Sequence, residues 1–374
     1  MKDQRFETVI IGAGQGGLAV GYHLARQDQR FVILDALPRV GDNWRRHYDS
    51  LKLYNPAKLN GLPGMSFPAP RLSYPTRDQV ADFLAAYAVE FRLPVRTGVK
   101  VDRLSRNGDG YLVTAGDERF QADNVVVATG TFGRPYAPAF AGELDPEIVQ
   151  LHSSEYKNPS QLRSGPVLVV GAAHSGADIA LEVATADHQT VLSGRDTGQV
   201  PFDIDSPWMR PLWPVLSFVA RRVLTIRTPI GRKIRPKIRA HGVPLLRVKT
   251  RDLRAAGVER VFERTTGVED GRPVLEGGRT LDVANVIWCT GFRQRFGWID
   301  LPVIDEEGWP LERRGVVQSS PGLYFMGLAF QYSFGSMLFV GVKRDAAYVA
   351  RQIVRRMAKG VRVTSADASK TTAS

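Results

Sequence analysis

Two short glycine runs constrain this chain more than any other feature: "VIIGAGQGGLAV" from Val9 to Val20 and "VLVVGAAHSGADIA" from Val167 to Ala180. Each follows an unbroken apolar run, opens a segment with helical spacing, and is followed by a second short apolar run, Phe31–Leu34 and Thr190–Ser193 respectively. An apolar run of four to six residues bounded by glycine predicts a strand buried on both faces, and the order strand, glycine turn, helix, strand predicts a parallel βαβ unit. The helix of such a unit points its unpaired N–H groups into the turn, which suits a pyrophosphate. The unit recurs about 159 residues later. At 374 residues the chain is two to three times a typical domain of ~150, so two cores fit.

The first turn places Gly12 at the bend, Gly14 where backbone approaches a pyrophosphate, and Gly17 where helix meets strand, with Gln15 and Gly16 in the first helical turn. Asp35 lies 23 residues after Gly12, placed to accept from ribose hydroxyls. The second turn has Gly171, Ala173 and Gly176, with His174 and Ser175 between; alanine at the middle position sets a dinucleotide back slightly. Counting the same 23 residues from Gly171 reaches Gly194, flanked by Ser193 and Arg195. A carboxylate there would repel a 2′-phosphate, whereas a guanidinium binds it through two charge-assisted hydrogen bonds, so NADPH is expected over NADH. The competing expectation is an Arg195 that is only solvated or that pairs with Asp196.

Between the two units lie a proline-rich loop region, a helix near Thr76–Phe91 and short strands near 95–104 and 110–114. "NVVVATG" closes the segment at Thr129 and Gly130, and "NVIWCTGF" repeats that element at Asn285–Phe292, with Thr290 and Gly291 in the turn. Two Rossmann-like α/β domains are therefore expected, the second inserted into the first: residues 1–160 and 289–360 as the two parts of one, 161–288 as the other, and a disordered tail at 361–374. The final strand, glycine-rich loop and amphipathic helix are assigned back to the first domain.

Charge is unevenly spread. Of a net +12, residues 221–251 hold eleven Lys or Arg and no Asp or Glu. Such a run is most simply a solvated face, and it also suits a phosphorylated cofactor or an anionic membrane surface; nucleic acid is the less favoured partner. Just before it, Phe202–Ala220 carries Trp208, Leu212, Trp213, Val215, Leu216 and Phe218, read as a substrate-entrance cover with affinity for a membrane surface, although Pro211 and Pro214 argue against one clean helix. The longest apolar stretch, Pro211–Ala220, falls short of the ~20 residues needed to span a bilayer, and "MKDQRFETVI" lacks a signal peptide's apolar run, so a cytoplasmic location is expected, with membrane association open. The single cysteine, Cys289, precludes dithiol chemistry within this sequence, and the six histidines show no metal-ligand spacing, so no metal is expected.

These motifs, with "GDNW" at Gly41–Trp44, "YDSLKLYNPAKLNGLPGMSFP" at Tyr48–Pro68 and "CTGF", resemble the flavin-containing monooxygenases, including their plant auxin-forming and bacterial single-component relatives, from Val9 to about Val354. The resemblance implies FAD at the first turn, NADPH at the second, and a flavin hydroperoxide that transfers one oxygen atom to a small organic substrate, either a soft sulfur or nitrogen nucleophile or a carbonyl. For FAD it implies Gly12, Gly14, Gln15, Gly16, Gly17, Asp35, Trp44, Val101, Thr129, Gly130 and Gln331. For NADPH it implies Gly171, Ala173, His174, Ser175, Gly176, Ser193, Arg195, Thr290 and Gly291. Asn55, with Tyr54 as its neighbouring alternative, is implied at the flavin's reactive edge. One pattern departs from the family: in place of FxGxxxHxxxY, His152 and Tyr156 follow Pro146 and Ile148, and Phe140 and Gly142 keep FxG too far upstream. His152 is accordingly read as structural. Two rivals stand beside the monooxygenase: an NADPH oxidase or flavin reductase on the same fold, and a non-catalytic binder using residues 221–251. Dioxygen and a small molecule are the expected partners, and a homodimer stays open.

Overall fold

The computed structural model describes residues 2–240 and 244–371, and these form two lobes, the first on a mixed sheet and the second on a parallel one, joined by two crossings. In the first lobe the strands run in the order Val95–Arg96, Phe31–Leu34, Lys2–Ile11, Glu118–Val127, Gly110–Ala115 and Arg103–Asn107. The long strand Glu118–Val127 is shared: its first half pairs with the Gly110–Ala115 hairpin arm, and its second half takes up Leu323–Phe325 in parallel. The chain's last strand thus returns to the first sheet. The helix beginning at Phe339 returns with it, because Phe339, Val342, Ala346, Val349 and Ile353 are buried in one cluster with Leu18, Val20 and Leu24 of the first fingerprint helix, Gln15–Ala25.

The second lobe is a five-stranded, all-parallel sheet ordered Glu259–Val261, Thr190–Ser193, Val167–Val170, Asn285–Trp288 and Val149–His152. The three central strands are fully buried runs, VLVV, TVLS and NVIW, the composition that a sheet covered on both faces requires. Here the expected boundary shifts. Val149–His152 was expected in the first domain, but it is an edge strand of the second sheet, and Phe140 packs on Trp288 of that lobe. The cause lies in the pairing: "IVQLH" is too short and too polar to announce a strand, and it is recruited by the exposed edge of Asn285–Trp288. The crossings themselves pair, Arg134–Pro135 against Phe292–Arg293 in an antiparallel two-residue ribbon, so the second lobe hangs on two adjacent strands.

The last helix runs Phe339–Thr371, over most of the segment expected to be disordered; one added residue brings one more backbone hydrogen bond once a helix is nucleated, and Gly360 does not stop it. Residues 372–374 of that expected tail lie outside the described residues.

Candidate functional site

Both fingerprint helices start bare. The first has Gly14 and the second Ala173 at the N-cap, neither with a side-chain cap bond, and neither helix carries an acid in its first turn. By contrast, the Arg77–Glu90 helix is closed by a capping box from Thr76 and Gln79. An uncapped start leaves N–H donors and the positive end of the helix dipole free for an anion. At Gly17 and Gly176 a Cβ would overlap the carbonyl oxygens of Gly12 and Gly171, so only glycine lets each helix leave its strand this closely. A Cβ at Gly14 would meet nothing nearer than Asn43 Nδ2 at 3.7 Å, which is why the second turn carries alanine at that place without distortion.

The residues expected at the first site converge. Gly12 packs against the backbone of Ala128 and Thr129, Gly16 against Met326, and Asp35 accepts from Ala13 N at 2.6 Å and Leu37 N at 2.8 Å. Asp35 therefore braces the turn, with lone pairs remaining for a ribose. Trp44 lies against Phe339 and His47, its Nε1 buried without a protein partner. An unpaired buried indole donor and an uncapped turn fit a bound flavin nucleotide. Thr129 is exposed, Gly130 has a positive φ of 80°, and Val101 is half-buried against the first lobe's core. Gln331 differs from expectation: it is fully buried and its amide is spent on Phe325 O and Gly327 N, so it shapes the loop after the last strand instead of facing a ligand.

At the second site Gly171 packs against the Cys289 carbonyl and Thr290 N, and Gly194, at φ 134°, presses on Gly171 and Ala172 in the place where an acid would stand. Ser193 is a correction: its side chain is fully buried and bonded to Thr265 Oγ1 at 2.7 Å, because the strand is buried on both faces and this hydroxyl finds its partner inside the protein. Arg195 is exposed and, among the described residues, has no carboxylate partner; the nearby Asp196 accepts from Gly198 N instead. Thr290 donates to the Tyr136 carbonyl and Gly291 O meets His152 Nε2 at 3.0 Å, so both fix the crossing ribbon. His152 is buried edge-on to Phe292. Arg260, which the sequence did not flag, holds the tip of the 190–193 strand through the carbonyls of Leu192 and Gly194.

Between the lobes runs the segment that carries Tyr54 and Asn55. Tyr54 is not free: its hydroxyl donates to Asp178 Oδ2 at 2.7 Å, and Tyr48 donates to the same oxygen at 3.0 Å. The His174 ring packs on Tyr54 at 4.5 Å, and the Arg247 guanidinium lies over the Tyr54 ring at 5.3 Å while donating to the carbonyls of Lys52 and Leu53. Burial holds both phenols well above their ordinary range, so they stay donors, and burial likewise lifts the Asp178 carboxyl and lowers His174. Asn55 Nδ2 donates to Asn60 Oδ1 at 2.5 Å, while the fully buried Asn60 donates to the carbonyls of Asn55 and Pro56. One N–H of Asn55 is thus oriented by protein and the other is left over. Burial pushes the Cys289 thiol up, so it holds its proton at neutral pH.

Two dinucleotide turns on separate sheets, one braced by an acid and one by a glycine beside an arginine, define a two-site nucleotide-dependent oxidoreductase. A sequence model described as pyridine nucleotide-disulphide oxidoreductase matches residues 9–214. An uncharacterized CzcO-like oxidoreductase of Geobacillus kaustophilus is 37% identical over 350 residues, 93% of this chain and 98% of that relative. Indole-3-pyruvate monooxygenase YUCCA4 of Oryza sativa is 28% identical over 398 residues, 94% of this chain and 88% of its own length. The solved flavin-containing monooxygenase from Stenotrophomonas maltophilia superposes with a TM-score of 0.75 at 28% identity, covering 95% of this chain and 99% of that one. The chain belongs to the flavin monooxygenase family. Its cofactors are FAD and NADPH, and its activity is oxygen transfer to an organic substrate. No helix among the described residues is long and apolar enough to cross a membrane.

Proposed function

We propose that the Gly12–Gly17 turn, Asp35, Trp44 and the Thr129–Gly130 end hold FAD, that the Gly171–Gly176 turn and Arg195 hold NADPH, and that Asn55 serves the flavin's reactive edge. The observation that carries this division is the pairing of an uncapped helix start with an acid at the first turn and with a glycine and a free arginine at the second. When bound, the flavin supplies two-electron chemistry with NADPH and the activation of dioxygen. The chain's own part is to bind, orient and keep dry. The two helix starts bind pyrophosphate, Asp35 accepts from ribose, and Asn55 offers a neutral donor whose amide plane is fixed by Asn60. The name of the rice relative keeps a 2-oxo acid among the substrates to be tried, beside thioethers, amines and ketones.

Removing one donor at a comparable charge-developing site costs roughly 2.7 to 4 kcal/mol, or about a hundredfold to a thousandfold in rate. Asn55→Ala should therefore retain FAD and consume NADPH, yet transfer oxygen to methyl phenyl sulfide at about 1% of the wild-type rate or less, with hydrogen peroxide making up the balance. Undiminished transfer would make Asn55 a turn residue only. A wild type that yields peroxide with every substrate class tried would favour the oxidase reading.

Peripheral membrane contact belongs to the same reading. Trp208 is 85% and Phe218 59% exposed, with the exposed Leu212 and Val215 between them, Leu212 at the start of the Trp213–Phe218 helix and Val215 on it. The basic run divides into pairs and surplus: Arg235 and Arg239 flank the buried Glu312, Arg247 meets Asp205, and Arg251 meets Asp203, while Arg222, Arg227, Arg232, Lys233 and Lys237 are exposed. Apolar side chains beside surplus cations favour an anionic bilayer and disfavour self-pairing of two such faces. Sedimentation with phosphatidylglycerol vesicles, but not with phosphatidylcholine vesicles, is the expected result, and Trp208→Ser should weaken it; equal recovery with both or neither would remove this part.

A further inference from the structure

We infer that Asp178 is a positioning residue that registers Asn55 to the second nucleotide turn through Tyr48 and Tyr54; this rests on the site assignments proposed above. Asp178 stands seven residues after Gly171, and the position seven after Gly12 is Ala19, a fully buried core residue. The repeat has thus placed a carboxylate where its twin has a methyl group, on a helix whose neighbouring Ala177, Ile179 and Ala180 are fully buried. A charge in that setting is costly unless paired or hydrogen-bonded. Here the donors are two phenols, and both come from the first lobe's part of the chain.

The packing shows what those bonds connect. Tyr48 and Leu51 lie in the second lobe's core with Val169, Ala177 and Ile287, although they belong to the segment between two helices of the first lobe. A few residues on, Ala57 and Leu62 are buried in the first lobe's core. Tyr54 and Asn55 therefore mark the step at which the strap passes from one lobe to the other. On its second-lobe side it is held by the fingerprint helix and by Arg247: Tyr48 and Tyr54 bond Asp178, the His174 ring packs on Tyr54, and Arg247 donates to the carbonyls of Lys52 and Leu53. His174 is also the first residue of the helix whose bare start faces the nucleotide. Any ordering of that helix start on nucleotide binding is passed along one turn to Asp178, and from there to Tyr54 and the adjoining Asn55. A carboxylate that served only as glue between lobes would hold the strap equally with and without nucleotide.

The test compares hydrogen exchange in the FAD-loaded protein with and without saturating NADP⁺. In the wild type, NADP⁺ should slow exchange of amides in residues 171–177 and also, at least threefold, in residues 50–57. Asp178→Asn should keep the first effect and lose most of the second. Tyr48→Phe combined with Tyr54→Phe removes only the hydroxyls and should behave alike, with the flavin absorption spectrum reporting that both variants remain folded and loaded. Slowing at 171–177 with none at 50–57 in the wild type, or both effects surviving in both variants, overturns the role given to Asp178. No slowing at 171–177 overturns the NADPH assignment itself, and the inference falls with it.

Discussion

The Gly12–Gly17 and Gly171–Gly176 turns share one contact, the helix glycine seated on the carbonyl of the bend glycine, and differ at the places that face outward from it. At the end of the second strand of each unit, the first has Asp35 bonded to Ala13 N, and the second has Gly194 lying directly on Gly171 and Ala172. Seven residues into each unit, the first has the buried Ala19 and the second Asp178. The shared contact is steric and makes a βαβ unit; on the site assignments proposed above, the differing positions set which nucleotide is held and what the unit is attached to. Fold and specificity are therefore separable in this chain, and substitutions can address one without the other.

The largest effect should come from the shared contact. Gly17→Ala and Gly176→Ala each drive a methyl group into a backbone carbonyl that cannot rotate away, so each should cost about 3 kcal/mol or more, beyond the usual range for overpacking. At ~2 to 4 °C per kcal/mol this lowers the melting temperature by roughly 6 to 12 °C or more. Gly14→Ala and Ala173→Gly exchange the middle residues and should change stability by only about 0.5 kcal/mol. Thermal melts of the four variants check this; a Gly14→Ala penalty matching that of Gly17→Ala would show that the turn is not governed by the helix contact.

Next in size is nucleotide choice. Losing one charge-assisted pairing costs about 1.5 to 3 kcal/mol, so Arg195→Ala should weaken NADPH by about tenfold to a hundredfold and leave NADH within about twofold. Titration of both nucleotides into the FAD-loaded variant decides it. Equal loss for both would return Arg195 to the solvated surface and move the recognition to other cations near the tip of the strand.

How far the sequence carried this comparison depends on the kind of signal. Val167–Val170 and Phe31–Leu34 were legible to the residue because a buried parallel strand is an apolar run with sharp ends. Val149–His152 was not, since an edge strand half covered by loops has no such pattern and is specified by its partner. Among site residues, the glycines and Asp35 follow from spacing. Ser193 did not, because whether the last residue of a strand faces in or out is set by a contact with Thr265, 72 residues away. Gln331 failed for the same reason, its amide being claimed by the loop it belongs to. Asp178 had a signal that was available: aligning the two repeats exposes an acid opposite Ala19. Its two tyrosine partners had none, for they sit 124 and 130 residues away in a loop without periodicity.

The smallest effect concerns the first helical residue, Gln15 in one turn and His174 in the other. His174 Nε2 meets the Pro244 carbonyl at 2.7 Å and its ring lies on Tyr54, and burial, with Lys249 and Arg247 nearby, lowers its pKa below the ordinary 6.5. As pH falls below about 6.5 the unfolded chain takes up this proton before the folded one does, so the stabilisation by neutral His174 is whole above that pH and is lost as pH falls through the folded value. His23, His47 and His152 are lowered by burial in the same sense, which is why the wild-type profile alone cannot isolate the group. The difference between wild type and His174→Gln can, since the other three are common to both. The wild type should melt higher than the variant at pH 8, with the gap closing toward pH 5. A gap that stays constant with pH would mean that His174 has the same affinity for a proton folded and unfolded, and that the second turn tolerates the first turn's residue for reasons of shape alone.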